Sequence, residues 1–147
     1  MKATDSSFMT AAELASAVRK KLLSPLEIVE ALLARIEKIN PKVNAYCTVA
    51  AEMALEAAKK AEAEVMRGGE LGPLHGVPVS VKDLTLTAGI RTTFGSKIFE
   101  HHVPDEDALS VQRLKATGAV VIGKVSFGPK SCPGANSMKG RSREIYP

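Results

Sequence analysis

The sequence predicts an α/β fold in which N-terminal helices pack on part of a mixed sheet. Three observations lead to this prediction. The first half of the chain contains three helical patterns, and the second half contains a strand–helix–strand pattern. In addition, 45% of the 147 residues are hydrophobic, which suffices for one core. Disorder is excluded, because it requires low hydrophobicity with high net charge, and the net charge is only +4.

The first predicted helix begins at a capping box formed by Thr10 and Glu13. Its apolar positions recur at helical spacing: Leu14, Val18 and Leu22. Basic residues occupy positions 19–21, where the helix dipole favours cations. These three signals agree on one short amphipathic helix.

The second predicted helix begins at Ser24-Pro25, because serine is a favoured N-cap and proline is favoured at the first helical position. Glu27 is expected to complete a capping box. The apolar face consists of Val29, Leu32, Leu33, Ile36 and Ile39. Asn40-Pro41 predicts the end of this helix, and residues 43–49 then predict a short strand.

The third predicted helix spans residues 51–67 and ends at Gly68-Gly69. Its expected inward face is Ala54, Ala57, Ala58, Ala61 and Val65. Alanine is the strongest helix former, so the alanine-rich composition itself favours a helix here.

The second half of the chain predicts two strands joined by a helix. Residues 77–81 form a short apolar strand, and residues 85–99 form a loop. The acidic residues 105–107 indicate the start of a helix that runs to Ala116, with Gly118 just past its end. The apolar run 119–123 is typical of a strand buried on both faces. This order favours a right-handed parallel crossover.

The charge distribution and composition exclude several classes of protein. Residues 1–124 carry a net charge of +1, and residues 125–147 carry +3, so the basic pI is not evidence for a binding surface. Aromatic residues make up 4% with no Trp, which argues against a nucleic-acid module that stacks bases. No apolar stretch approaches the ~20 residues of a membrane span. Without a visible signal peptide, we expect a cytoplasmic protein.

Lys82 is the position most suggestive of chemistry. It directly follows an apolar strand, and the carboxyl ends of parallel strands are where α/β proteins place their sites. An ammonium that is desolvated there without a close acid can act as a base. Asp83 is expected to point to the opposite face. On spacing alone, a strand-end lysine that reaches water remains the more common alternative to a functional lysine.

Several longer segments carry a family resemblance. Residues 72–83 read GPLHGVPVSVKD, which resembles the GPLHGIPVSVKD segment of the amidase signature family. The similarity continues through residues 89–96 and 107–124, the latter close to the family's DA..V.RLK..GAVIIGKT pattern. Residues 24–46, SPLEIVEALLARIEKINPKVNAY, also resemble the family. The resemblance covers about residues 10–124 and implies an amidase-signature fold.

The resemblance implies hydrolysis of carboxylic amide C–N bonds by a Ser–cis-Ser–Lys triad. In that scheme a neutral lysine accepts a proton through the bridging serine, and the lysine maps onto Lys82 as general base. The two serines belong to motifs such as GGSSGG and GGSIR, and neither motif occurs in this sequence. The scheme requires no metal and no organic cofactor. The implied partner is a small-molecule amide substrate, without direct contact to nucleic acid or membrane.

The resemblance weakens after Lys124. We therefore divide the chain into residues 1–124, the N-terminal portion of an amidase domain, and residues 125–147, an irregular tail outside the family pattern. The break leads us to expect a truncated or frame-disrupted product that is inactive in isolation. One alternative is the amidase subunit of a glutamyl-tRNA amidotransferase. Another is a non-catalytic truncated fragment that self-associates, or forms a homo-oligomer, through an open sheet edge.

Other candidate residues have simpler interpretations. His101-His102 lacks a third ligand at a sensible spacing and is expected to be a solvated loop pair. Four serines lie nearest the Lys82 motif in sequence or follow it: Ser80, Ser96, Ser126 and Ser131. None lies in a nucleophile-elbow context such as GxSxG, so each is expected to be structural.

Overall fold

The computed structural model describes residues 3–126, as four α-helices, three strands and two short 3₁₀ segments, Ala3–Phe8 and Lys97–Phe99. In chain order the longer elements are α1 (Ala11–Arg19), α2 (Pro25–Val43), β1 (Tyr46–Val49), α3 (Ala51–Arg67), β2 (Pro78–Lys82), α4 (Leu109–Ala116) and β3 (Val120–Val125). The α/β class predicted from the sequence is confirmed.

The three strands form one mixed sheet in the order β1-β3-β2. β2 and β3 are parallel, as the strand–helix–strand pattern predicts, whereas β1 is antiparallel to β3. β3 lies at the centre and is buried over almost its whole length, which agrees with its continuous apolar composition.

Helices cover both faces of the sheet. On one face, Val120 and Ile122 of β3 pack against a cluster that draws on α2 and α3. On the other face, Val81 of β2 and Val121 of β3 pack with Val111 of α4. α1 packs in a third cluster, which also includes Ile28 and Val65. The central strand is therefore enclosed between two helical layers, whereas the edge strand β2 keeps Ser80 and Lys82 exposed within residues 3–126.

The predicted starts of α1 and α2 agree with the structure. Thr10 and Glu13 form the expected capping box. The hydroxyl of Ser24 accepts hydrogen bonds from the backbone N–H groups of Leu26 and Glu27, and Pro25 occupies the first turn. Only the Ser24 half of that second box is present among the described hydrogen bonds. The acid that contacts the Ser24 hydroxyl is Glu62 of α3, which ties the start of α2 to the neighbouring helix.

The predicted end of α2 at Asn40-Pro41 is wrong. The helix passes Pro41 and ends at Val43, with Asn44 in the left-handed region at φ 49°. Pro41 lies in the last turn, so its missing N–H removes only one hydrogen bond there. Residues 43–45 are therefore not part of the strand, which begins at Tyr46. The side chain of Asn40 makes two hydrogen bonds to the backbone of Tyr46 and so links the helix to β1.

Two further boundaries differ from the prediction. Leu22 lies beyond α1 and is 61% exposed, so it is not part of the apolar face of that helix. α4 begins at Leu109 and not at the acidic run 105–107. The carboxylate of Asp107 does not occupy the first turn of the helix, because it binds the N–H of Ala88 and the ammonium of Lys115.

Gly123 lies at an irregularity of the central strand. The register between β2 and β3 shifts at this point, so that Ser80 pairs with Gly123 after Val79 pairs with Val121. A Cβ atom at position 123 would lie 2.2 Å from the backbone oxygen of Thr48 in β1. Close approach of β1 to β3 therefore requires glycine here.

The tail after residue 124 lies almost entirely outside the described residues. Val125 is the last residue of β3, and Ser126 donates its N–H to the carbonyl of Ala45. The boundary at residue 124 stays a prediction. Within residues 3–126, no helix combines the length and hydrophobicity that a membrane crossing requires.

Candidate active site

Lys82 is the last residue of β2, at the edge of the sheet where the parallel strands β2 and β3 end. Its backbone pairs with Val125, and its side chain is exposed, as is that of Ser80. Val81, between them, is buried against the α4 cluster. Lys82 and Ser80 therefore share the face of β2 that points away from α4.

Lys82 is open to solvent among residues 3–126. The sequence leaves two alternatives for this residue, a desolvated functional lysine and a strand-end lysine that reaches water, and the described residues provide the second environment. The described residues therefore do not supply the desolvation. Any burial of this amine has to come from groups outside residues 3–126.

A pair of hydroxyl groups lies on the same face as Lys82. The phenol of Tyr46 in β1 is 2.6 Å from the Oγ atom of Ser80 in β2. Because β3 separates these strands, the tyrosine side chain spans the central strand to reach Ser80. The pair links the two edge strands, and its Ser80 member lies two residues before Lys82.

Asp83 turns away from Lys82, as expected from the alternation of side chains. Its carboxylate is fully buried and accepts hydrogen bonds from the N–H of Thr93, at 3.1 Å, and from the Thr93 hydroxyl. Its own N–H donates to the carbonyl of Val125 at 2.9 Å, and its carbonyl accepts the N–H of Phe94 at 3.1 Å. The residue after Lys82 is thus fixed through both its backbone and its side chain.

Lys124 is the residue of this region that the sequence analysis missed. Its side chain is fully buried, although it carries an ammonium group. The Nζ atom donates to the carbonyl of Thr85 and, at 2.9 Å, to the hydroxyl of Thr87. Burial lowers the pKa of Lys124 from 10.5 to about 8, while the charges of Asp83 and Asp107 oppose that shift.

Asp107 links the loop after Lys82 to α4. Its carboxylate accepts hydrogen bonds from the N–H of Ala88 at 2.8 Å and from the ammonium of Lys115 at 2.7 Å. Burial raises the pKa of Asp107, but these hydrogen bonds outweigh it and hold the pKa below the ordinary value. Asp107 is therefore an anion that contributes to the field around Lys124.

The pKa of Lys124 predicts how stability depends on pH. Between about pH 8 and 10.5 the folded chain has released a proton from Lys124 that the unfolded chain still holds. The free energy of unfolding should therefore rise with pH across this window, with a contribution of up to about 1.4 kcal/mol per pH unit. Urea unfolding at pH 8.0, 9.0 and 10.0 measures this slope.

Two variants isolate the contribution of Lys124 to that slope. Lys124→Met should have a smaller slope than the unsubstituted chain, because its buried ammonium is gone. Lys115→Met serves as the matched control, since it removes the partly exposed lysine that binds Asp107 and should keep the slope. Equal slopes in the unsubstituted chain and Lys124→Met would contradict the assignment.

The other candidate residues have structural surroundings. His102 lies against the rings of Phe94 and Phe99, with ring centres 6.0 and 5.8 Å away, and His101 is exposed. Among the described residues, no group of three His, Cys, Asp or Glu side chains could hold a metal ion. Ser96 caps the 3₁₀ segment Lys97–Phe99 by accepting the N–H of Ile98. Ser131 lies outside the described residues.

The sequence and the fold match amidases. A family model described as Amidase matches residues 27–128. The glutamyl-tRNA(Gln) amidotransferase subunits A of Carboxydothermus hydrogenoformans and Geotalea daltonii are 43% and 47% identical over 82% and 80% of the chain. The peptide amidase of Stenotrophomonas maltophilia superimposes over 83% of the chain with a TM-score of 0.76 and 32% identity. The chain spans about a quarter of the length of each relative.

Proposed function

Because the chain belongs to the amidase signature family, we propose that it forms the part of an amidase domain that supplies the general base, Lys82. The reaction is hydrolysis of a carboxylic amide C–N bond. The observation that carries this proposal is the position of Lys82 within the family motif. It ends a strand beside a parallel neighbour, and its amine is open on the side that residues 3–126 leave uncovered.

The surroundings of Lys82 support the role of a base. The adjacent carboxylate of Asp83 is engaged by Thr93 on the other side of the strand, so it does not pair with the Lys82 ammonium. The unprotonated amine is the form that the reaction requires.

In the family scheme, Lys82 begins a proton relay. The neutral amine takes a proton from the bridging serine, which takes one from the nucleophilic serine as that oxygen attacks the amide carbon. Backbone N–H groups stabilise the oxyanion, and the proton then returns to the leaving amine nitrogen as the C–N bond breaks. Water hydrolyses the acyl-enzyme. The two serines belong to family motifs that this sequence lacks, so we expect the isolated chain to be inactive.

The proposed activity needs no metal and no organic cofactor, because lysine and two serines perform every proton transfer. The proposed partner is a small-molecule amide. The relative from Stenotrophomonas maltophilia is a peptide amidase by name, which makes peptide amides a suitable first substrate to assay. We expect a cytoplasmic location, without direct contact to nucleic acid or membrane.

A chimera tests the proposed function. Residues 27–126 of this chain replace the matching segment of the Stenotrophomonas maltophilia peptide amidase, which contributes the rest of the domain. The chimera should hydrolyse a peptide amide, whereas the 147-residue chain alone should not. Cooperative thermal unfolding provides the control for folding. A cooperatively folded chimera without amide turnover would contradict the proposal.

A second candidate function is the amidase subunit of a glutamyl-tRNA amidotransferase. Its support is the identity of 43% and 47% to two amidotransferase subunits A, against 32% to the peptide amidase. A subunit of this kind should co-purify with the other subunits of the Geotalea daltonii enzyme when they are co-expressed. Absence of any association at micromolar concentration would argue against this candidate.

A third candidate is a non-catalytic fragment that associates with itself. β1 and β2 are the edge strands of the described sheet, and each has one side without a strand partner within residues 3–126. Open edges of this kind favour pairing between chains. Analytical ultracentrifugation of the 147-residue chain should then show dimers or larger species. A monodisperse monomer that unfolds cooperatively would contradict this candidate.

A further inference from the structure

The backbone after Lys82 is held by the last two residues of β3. Val125 pairs with Lys82, and its carbonyl accepts the N–H of Asp83 at 2.9 Å. Lys124, the preceding residue of β3, sends its side chain to the opposite face of the sheet from Lys82. Val125 therefore binds the backbone of Lys82 and Asp83, whereas the side chain of Lys124 reaches the following loop on the other face of the sheet.

Thr85 connects Lys124 to Lys82. Its N–H donates to the carbonyl of Lys82 at 3.0 Å, which forms a tight turn directly after the strand. Its carbonyl accepts a hydrogen bond from the ammonium of Lys124. The same ammonium binds the hydroxyl of Thr87 at 2.9 Å, and that hydroxyl in turn donates to the carbonyl of Thr85. The turn after Lys82 thus has one charged anchor.

A buried ammonium group carries a large desolvation penalty. Transfer of the charge from water is unfavourable, and apolar residues of similar volume commonly give equal or greater stability. Lys124 nevertheless occupies a fully buried position in the central strand. Hydrogen bonds from a charged donor are shorter and about twice as strong as those between neutral groups, so they can hold the backbone of a loop where apolar contacts have no polar partner to bind.

We propose that Lys124 is a positioning residue that holds the Asp83–Thr87 turn and thereby fixes the end of β2 from which the Lys82 side chain projects. The inference rests on the proposed function, because it assigns Lys124 a purpose in placing the general base. Lys124 does not touch substrate in this arrangement. It acts through Thr85 and the backbone of Lys82.

Amide hydrogen exchange in the 147-residue chain tests the anchor without any need for activity. In Lys124→Met the amides of Asp83 and Thr85 should exchange at least tenfold faster. The exchange rate of the Ala54 amide, which lies in α3 and packs in the cluster of α2 and α3, should change less than threefold. Lys124→Arg should restore protection, because it retains a charged donor. Lys60→Met, an exposed lysine of α3, is the control and should leave all three amides unchanged.

A milder variant keeps the test decisive if Lys124→Met does not fold. Thr87→Val removes one acceptor of the ammonium, together with the hydrogen bond from the Thr87 hydroxyl to the Thr85 carbonyl, with little change in shape, and it should accelerate exchange at Thr85 without accelerating it at Ala54. Unchanged exchange at Asp83 and Thr85 would overturn the inference. An equal acceleration at all three amides would also overturn it, since that result means a general loss of stability.

The chimera adds a catalytic readout. Lys124→Met should lower kcat at least tenfold and leave KM within twofold, because the substrate contacts are intact while the base is misplaced. Lys124→Arg should recover most of the lost kcat. An active chimera whose kcat does not change in Lys124→Met would overturn the role of Lys124 and leave the proposed function intact. An inactive chimera with Lys124 intact would contradict the proposed function, and the exchange experiment would then decide on the anchor.

Discussion

Replacing Asp83 by alanine is expected to lower the free energy of unfolding by about 2–4 kcal/mol, because each buried donor left without its acceptor costs about 1–3 kcal/mol. The carboxylate is fully buried and binds both the N–H and the hydroxyl of Thr93. Its loss leaves those donors without their acceptor. It also removes an anion whose field stabilises the buried Lys124 ammonium.

Urea unfolding at pH 7 measures this loss. Asp105→Ala is the matched control, because Asp105 is an exposed acid of the nearby loop and its removal should change the free energy of unfolding by less than about 0.5 kcal/mol. Asn at position 83 should be intermediate, since the amide oxygen can still accept from Thr93. If Asp83→Ala were as stable as Asp105→Ala, the contribution of the buried Asp83 carboxylate to the stability of the fold would be contradicted.

Replacing Lys82 by methionine in the chimera should lower kcat by about 10²- to 10⁴-fold, the range that a general base contributes. In the 147-residue chain, where the side chain is exposed among the described residues, the same substitution should change the free energy of unfolding by less than about 0.5 kcal/mol. KM should stay near its original value, because the base acts in the transition state and contributes little to substrate binding.

Lys60→Met in the same chimera is the control for loss of one positive charge, and it should keep full turnover. The assay follows release of ammonia from a peptide amide under saturating substrate. A Lys82→Met chimera that retains kcat within threefold of the unsubstituted chimera would mean that another group performs the proton transfer.

Elements with local signals could be predicted from the sequence. Thr10 and Ser24 begin helices because a side-chain oxygen at the N-cap satisfies N–H groups only two or three residues away. The bounds of α3 agree with the alanine-rich run and with Gly68, which adopts φ 76° just past its end. The parallel pairing of β2 with β3 follows from the strand–helix–strand order.

Features that depend on distant partners could not be predicted. α2 continues past Pro41 to Val43, and the side chain of Asn40 binds the backbone of Tyr46 at the start of β1. Asp107 was assigned to a helix start, but it binds Ala88, which lies 19 residues earlier in the chain. Each case is decided by a hydrogen bond that forms only after the elements have packed.

The candidate site shows the same division. The position of Lys82 at the end of a strand could be predicted from the apolar run before it, and its role as a base stays a prediction. Lys124 could not be identified, because the apolar run 119–123 was read as the whole strand and the lysine as the first residue beyond it. The one available signal was its place directly after a strand expected to be buried on both faces. Its partners Thr85 and Thr87 lie 39 and 37 residues away.

Chemical rescue of Lys82→Ala in the chimera tests the central claim most directly. If Lys82 is the general base, turnover lost on substitution should return on addition of propylamine, in proportion to the concentration of the unprotonated amine. More basic primary amines of similar size should rescue better at equal concentration of free base. Undiminished turnover of Lys82→Ala without amine, or a folded variant that no primary amine restores, would contradict the assignment.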